Sequence, residues 1–247
     1  MPFLRLLFMR HAQSLGNQAR QMEGQASSDL SARGQRQAQR LGVYLQAQSW
    51  QPTHIYSSPL QRALQTARIL HSGMSSPQAA KIPLITTSDL QESHQGIFQG
   101  LTWVEAQQRC PQLCQQLLSS PDWIPVPGAE SPEQVRQRAC AFLKSLLEQH
   151  SGGDRLWVIS HSGLLLHLIA TLLGCDRSWQ ISIPNTSLFE FWIDCDRWDL
   201  RGQTRYNTGL WQIRRFNDCA HLPQLDSEAQ TEAQTDGEAS PNHRTIV

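Results

Sequence analysis

The sequence predicts an α/β fold: a single three-layer α/β/α domain built on a mostly parallel central sheet, covering residues 1–220. Residues 3–9 and 156–160 are nearly continuous apolar runs, the pattern of strands buried on both faces of a parallel sheet. Segments with helical spacing follow such runs, so strands and helices alternate along the chain. The 247 residues are 39% apolar and 17% charged, enough to bury a core.

Each element follows from local pattern. Only Arg5 interrupts the first strand, 3–9. A helix over 31–48 sets Ala38, Leu41 and Leu45 on one face. Residues 54–57 read as a short strand. Ser58 should then cap a helix, with Pro59 in its first position and Gln61 closing a capping box. Leu60, Ala63, Leu64 and Ala67 form the expected buried stripe of that helix. Pro111, Pro121, Pro125, Pro127 and Gly128 break 105–130 into a short helix and a loop. Ser131, with Gln134 three residues on, caps the next helix. After the strand at 156–160, residues 163–173 are apolar nearly all round, a buried helix that Gly174 ends. Residues 187–194 and 206–216 read as two late strands. From 221 to 247 the chain carries Asp226, Glu228, Glu232, Asp236 and Glu238 among small polar residues, and is expected to be a disordered acidic tail.

Charge and cysteine usage exclude several classes. Formal net charge is zero, so nothing argues for nucleic acid or an anionic membrane as partner. The six cysteines form no CxxC pair and no zinc-spaced Cys/His group, so they read as reduced thiols. The longest apolar stretch, 164–173, is too short to span a bilayer, and the first residues lack the pattern of a leader. A cytoplasmic location is expected.

The chemistry lies at strand ends. The first strand runs into Arg10-His11-Ala12-Gln13-Ser14-Leu15-Gly16-Asn17, and the strand at 156–160 runs into His161-Ser162-Gly163 and a helix. Ligands in doubly wound sheets bind outside the carboxyl ends of strands. A helix N-terminus there favours an anion. Arg62 sits in the first turn of the helix after the third such strand. Three strand ends bearing cations, two of them with His, point to an anion site.

These segments resemble the histidine phosphatase superfamily, also called the phosphoglycerate mutase-like family. Phe8-Met9-Arg10-His11-Ala12-Gln13-Ser14 with Asn17 is similar to its Arg-His-Gly signature. Tyr56-Ser57-Ser58-Pro59-Leu60-Gln61-Arg62-Ala63 with Thr66-Ala67 is similar to its Ser-Ser-x-x-x-Arg-Ala-x-x-Thr-Ala segment. Leu90-Gln91-Glu92 with Gly96, Phe98 and Gly100 resembles the segment of the acid, and Val158-Ile159-Ser160-His161-Ser162-Gly163 that of the second histidine. The match runs from about 3 to 175. Ala12 and Ser162 stand where many relatives have Gly, and both are small.

The resemblance implies a phosphatase with His11 as nucleophile, and a phosphohistidine intermediate splits one hard step into two. With no metal-ligand cluster and no cofactor, Arg10, Arg62 and His161 are expected to supply positive charge to the transferring group, and Ser14 and Asn17 neutral hydrogen bonds. Glu92 is the expected general acid and base. Glu105 and Glu130 are the alternatives for that role, and Glu130 lies in Gly128-Ala129-Glu130-Ser131, similar to a segment bordering the family's pocket. His94, two residues past the acid, is a candidate substrate contact. His54, His71, His150, His167, His221 and His243 read as structural or solvent-exposed.

The expected substrate is a small phosphorylated metabolite, and assembly as a homodimer stays open. A cofactor-dependent mutase is the nearest rival, since Glu92, His94, Gly96, Gln99 and Gly100 are similar to the mutase segment. Trp103 stands where a mutase lysine is expected, and residues 110–128 hold no Arg or Lys. A non-catalytic regulator that binds a phosphorylated ligand is the third reading. Phe98, Trp103 and Trp123 are the aromatic residues expected over the pocket.

Overall fold

The computed structural model describes residues 2–75, 79–199 and 202–222. The expected tail over 221–247 lies outside these residues apart from His221 and Leu222, and so does His243.

Six strands form one sheet: β1 (Leu4–Arg10), β2 (His54–Ser57), β3 (Leu84–Thr86), β4 (Arg155–Ser160), β5 (Leu188–Ile193) and β6 (Trp211–Asp218). Their order is β3-β2-β4-β1-β5-β6. β1 to β4 run parallel, whereas β5 is antiparallel to β1 and β6 antiparallel to β5. Strand period two sorts the side chains of β1. Leu4, Leu6 and Phe8 meet α6 (Pro132–Gln149) and α7 (Ser162–Leu172) on one face. Leu7 and Met9 meet α2 (Ala32–Ala47) and α3 (Gln61–Ser72) on the other. The three layers expected from the apolar runs are those of the structure.

The remaining helices are α1 (Leu15–Gln18), α4 (Trp103–Arg109) and α5 (Pro111–Ser119). Several caps act as the sequence implies. Ser31 Oγ accepts the Gly34 N–H, and Ser131 and Gln134 close a capping box on α6. Gly34 has a packing reason: a Cβ there would lie 1.9 Å from the Gln13 carbonyl oxygen. Without a side chain at 34, α2 can press its N-terminus against the turn after His11.

Four local expectations are corrected. α3 begins at Gln61, with Leu60 at the N-cap and no side-chain cap, because the sheet ladder extends to Ser58, whose N–H donates to the Ile159 carbonyl. Leu64 is half-buried, and Arg62 and Thr66 stand in the buried face instead. The segment after Trp103 makes two helices, since Pro111 starts α5 where its missing N–H costs nothing. Tyr206 lies in a single 3-10 turn, and the last strand starts at Trp211. β3, short and largely exposed, has too weak a pattern to read from sequence. The cysteines form no disulfide among the described residues, and no helix there is long and apolar enough to cross a membrane.

The packed chain runs through Leu222. His221 Nε2 lies 2.9 Å from Thr186 Oγ1, its ring packs 5.6 Å from that of Tyr44, and Leu222 is buried. Thr186 in turn donates its N–H to the carbonyls of Arg10 and His11. A chain ended at Leu222 should therefore melt within a degree or two of the full-length protein. One ended at Ala220 should melt roughly 5–10 °C lower, the loss expected for one buried leucine and its neighbour in a chain this size. Differential scanning calorimetry of the two truncations checks this, and equal melting points would refute it.

Candidate active site

β1 and β4 are neighbours in the sheet, and their carboxyl ends deliver Arg10-His11 and His161 side by side. The His11 N–H donates to the Ser160 carbonyl, which fixes their relative height. The two imidazoles pack with ring centroids 4.9 Å apart. α3 brings Arg62 from one layer, and a loop between β3 and α4 brings Glu92 from the other side. Arg10, His11, Asn17, Arg62, Glu92 and Gly163 are among the residues that enclose a cavity of about 190 Å3. It opens where α7 begins, at the strand ends expected to bind a ligand.

The protonation of His11 can be read from its partners. Nδ1 lies 2.7 Å from the Ala12 carbonyl oxygen, which can only accept, so Nδ1 carries the proton. Nε2 then accepts from Arg62 Nε at 3.3 Å. Burial first, and then the charges of Arg62 and Arg10, push the His11 imidazolium well below the usual 6.5. The ring is neutral with its lone pair on Nε2.

Arg62 is held from three sides: Nη1 donates to the Ala26 carbonyl at 2.6 Å, Nη2 to the Gly24 carbonyl at 2.6 Å, and Nε to His11. Glu23, buried 3.7 Å away, is its ion-pair partner. Arg10 Nη1 donates to the Ile183 carbonyl at 2.5 Å, while Arg10 Nε is buried with no hydrogen-bond partner. Burial lowers both guanidinium pKa values, yet arginine stays charged.

The positive charge expected of His161 is opposed by its surroundings. Burial, then Arg62, His11 and Arg10, hold its imidazolium well below 6.5, so the ring is neutral. Its Nε2 pairs with Ser58 Oγ at 2.8 Å, and its buried Nδ1 has no partner. Ser58, expected only as a helix cap, therefore orients His161.

Glu92 sits on the N-terminus of α7. Its carboxylate accepts the N–H groups of Gly163 at 3.1 Å, Leu164 at 3.2 Å and Ser93 at 2.9 Å. A Cβ at position 163 would lie 2.5 Å from Glu92 Oε1, so glycine there lets the acid dock. The loop of Glu92 is pinned by residues that sequence reasoning does not single out. Arg138 donates to the carbonyls of Asp89 and Gln91, and Gln25 Nε2 to that of Glu92. Arg138 also pairs with Glu130 at 2.9 Å, and Glu130 accepts the His94 N–H at 2.8 Å. Glu130 thus holds the loop together. Glu105 is committed to the capping box of α4, and its bonds from Thr102 lower its pKa.

Ser14 and Asn17 both serve Glu23. Ser14 is fully buried, and its hydroxyl donates to Glu23 at 2.5 Å. Asn17 lines the cavity, but its amide donates to Glu23 at 2.8 Å and its oxygen accepts from Asn185. Nothing in the local sequence flags Glu23, since its role depends on the fold that brings Arg62 beside it. His94 lines a second, larger cavity, as does Trp123. Phe98 and Trp103 pack instead in a small core under α4 and α5. Among the described residues one His/Asp trio, His54, His150 and Asp154, has ligand atoms within 4.8 Å of one another. It lies at the opposite, amino-terminal ends of β2 and β4.

A family profile described as the histidine phosphatase superfamily (branch 1) matches residues 6–205. The chain belongs to the histidine phosphatase superfamily. Similar curated members include "Metal-independent phosphoserine phosphatase" of Arabidopsis thaliana, 27% identical over 96% of this chain and 89% of that protein. "Phosphoglycerate mutase-like protein 4" of the same plant is 29% identical over 89% and 87%. "Probable phosphoglycerate mutase GpmB" of Yersinia enterocolitica is 30% identical over 90% and 98%. Among solved structures, Bacillus stearothermophilus YhfR is 26% identical with a TM-score of 0.72, covering 89% of this chain and 99% of that one. A mycobacterial glucosyl-3-phosphoglycerate phosphatase in complex with VO3 is 26% identical with a TM-score of 0.66, covering 87% and 99%. This superfamily member thus has both phosphatases and mutases among its relatives.

The two buried imidazoles should stay neutral in mild acid. Their folded pKa values lie below the unfolded one, so protons are taken up on unfolding and stability falls as pH drops through about 6.5. In nuclear magnetic resonance titrations, His11 and His161 ring signals should keep neutral-imidazole shifts at pH 6. Midpoints at or above 6.5 would contradict the geometry.

Proposed function

We propose that this chain is a phosphatase that hydrolyses a small phosphate monoester through a phosphohistidine on His11. The observation that carries this is the neutral His11 ring, its Nε2 lone pair set in one small cavity with Arg10, Arg62 and Glu92. Nε2 attacks phosphorus, and the bond from phosphorus to the ester oxygen breaks. Glu92, entering this step as the carboxylic acid, delivers its proton to the leaving oxygen and is left as the carboxylate. The ring becomes cationic on phosphorylation, and the Ala12 carbonyl, accepting from Nδ1, stabilises that charge. Water then attacks phosphorus, Glu92 takes its proton, and the lone pair returns to Nε2.

Charge is supplied by protein groups. Two guanidiniums face three phosphoryl oxygens, and Arg10 Nε, buried without an acceptor, is a donor that such an oxygen would satisfy. His161, whose buried Nδ1 has no protein partner, is placed to donate a hydrogen bond to the dianion. This chemistry needs no divalent metal, a property that one relative carries in its name. Hydrolysis is favoured over phosphoryl return to a second hydroxyl. Keeping a bisphosphate bound calls for further cations, and among the described residues the larger cavity next to the site is lined by no Lys or Arg.

Steady-state kinetics separate the roles. Arg62→Ala should lower kcat/KM by roughly 100- to 1,000-fold, the usual effect of removing one preorganised charge donor. Glu92→Gln should slow an alkyl phosphate far more than p-nitrophenyl phosphate, whose leaving oxygen needs little protonation. Equal losses on both esters would remove Glu92 from the acid role. Phosphate release should be indifferent to a chelator. Loss of activity in chelator and its recovery with magnesium would contradict metal-free catalysis, and net interconversion of 2- and 3-phosphoglycerate exceeding phosphate release would favour the mutase.

A further inference from the structure

A second cavity of about 590 Å3 adjoins the first, and the two share Ser93 and Gln95 in their walls. The smaller volume suits a phosphoryl group, whereas the larger is of the size that takes a whole small-molecule ligand. Its position next to the phosphoryl cavity makes it the seat of whatever the phosphate is attached to.

The chemistry of its walls is specific. Trp123, from the loop after α5, and Trp179, after α7, both line it while remaining 49% and 59% exposed. Two large aromatic surfaces left open beside a reaction site are faces for a flat or ring-shaped ligand. Leu166 and Ile124 add aliphatic wall. His94 accepts the Gly96 N–H on Nδ1 at 3.0 Å, which leaves Nε2 as its donor toward a ligand. His167 is held below 6.5 by burial first, and then by Arg136. Glu130 is balanced by Arg138. Among the described residues that line the cavity, the exposed Asp122 is therefore the carboxylate without a paired cation, and the wall holds no Lys or Arg to meet an anionic group.

We propose that the alcohol part of the substrate is an uncharged, ring-bearing group, a sugar or a nucleoside, seated in the cavity that Trp123 and Trp179 line. Esters with a carboxylate or a second phosphate on the alcohol are disfavoured there. The inference rests on the reading of the smaller cavity as the phosphoryl site, and it selects among the esters that reading leaves open.

Binding and turnover, measured separately, test it. Isothermal titration calorimetry on the His11→Ala variant compares glucose 6-phosphate and adenosine 5′-monophosphate with 3-phosphoglycerate, and distinguishes sugar from nucleoside. At least one ring-bearing ester should bind at least tenfold more tightly than 3-phosphoglycerate. Trp123→Ala or Trp179→Ala should shrink that ratio several-fold, and Asp122→Lys should tighten 3-phosphoglycerate several-fold. Equal or tighter binding of 3-phosphoglycerate, or a ratio that neither tryptophan replacement moves, would overturn the inference. Turnover by the wild-type protein separates the two readings. Rapid hydrolysis with 3-phosphoglycerate preferred keeps the phosphatase and sinks this inference. Selective binding of the ring-bearing ester without any hydrolysis keeps the ligand class and sinks the phosphatase.

Discussion

Arg62 is buried to 1% exposure, and the site is organised around its guanidinium. A charge removed from water must find partners, or its burial costs several kcal/mol. Here the partners are the Ala26 and Gly24 carbonyls, Glu23, and the Nε2 lone pair of His11. That last bond fixes the orientation and tautomer of His11, because the N–H of Arg62 can only meet an unprotonated nitrogen. The same positive charge, added to burial, keeps His11 and His161 neutral. The site's architecture thus turns on one group: a buried cation set beside two imidazoles that burial first, and then its charge, keep from protonating.

The surroundings follow from keeping that cation in place. Glu23 needs donors of its own, and Ser14, Asn17 and Ser28 provide them. Gly16 is confined by the same group, since a Cβ there would meet the Glu23 side chain at 2.4 Å. On the other side Arg138 does for Glu92 what Glu23 does for Arg62, gathering the carbonyls of Asp89 and Gln91 with Glu130. Two buttressed loops therefore face each other across the ends of β1 and β4. The 183–187 segment closes the third side, through Ile183 to Arg10 and Asn185 to the His11 carbonyl.

What the sequence makes legible has a physical basis. β1 and β4 are buried on both faces, so their apolar runs are uninterrupted, and the reactive residues at their ends stand out against them. Arg10, His11 and Arg62 are legible because each is adjacent to a recognisable local element, whereas Glu92 is singled out only by the resemblance of its segment to the family's. Glu23, Arg138, Ser58 and Asn185 could not, since their roles are created by contacts between segments as far apart as Ser58 and His161. β3 escaped because a short, largely exposed edge strand carries little periodicity. The resemblance implies a phosphate contact for the Ser14 hydroxyl, whereas its partner in three dimensions is Glu23. Trp123 was visible as an aromatic residue near the pocket, but its partner wall, Trp179, comes from the far side of α7 and carries no local signal.

The proposed reaction requires His11 to carry the phosphoryl group during turnover. Its most direct measurement is chemical trapping: mix the protein with an ester bearing a good leaving group, quench in alkali, and locate the bound phosphoryl group by peptide mass spectrometry. An acid-labile, alkali-stable phosphoryl group should be found on His11 and be absent from the His11→Ala variant. Phosphate release with no label on His11, or with the label on His161 or a serine, would contradict it.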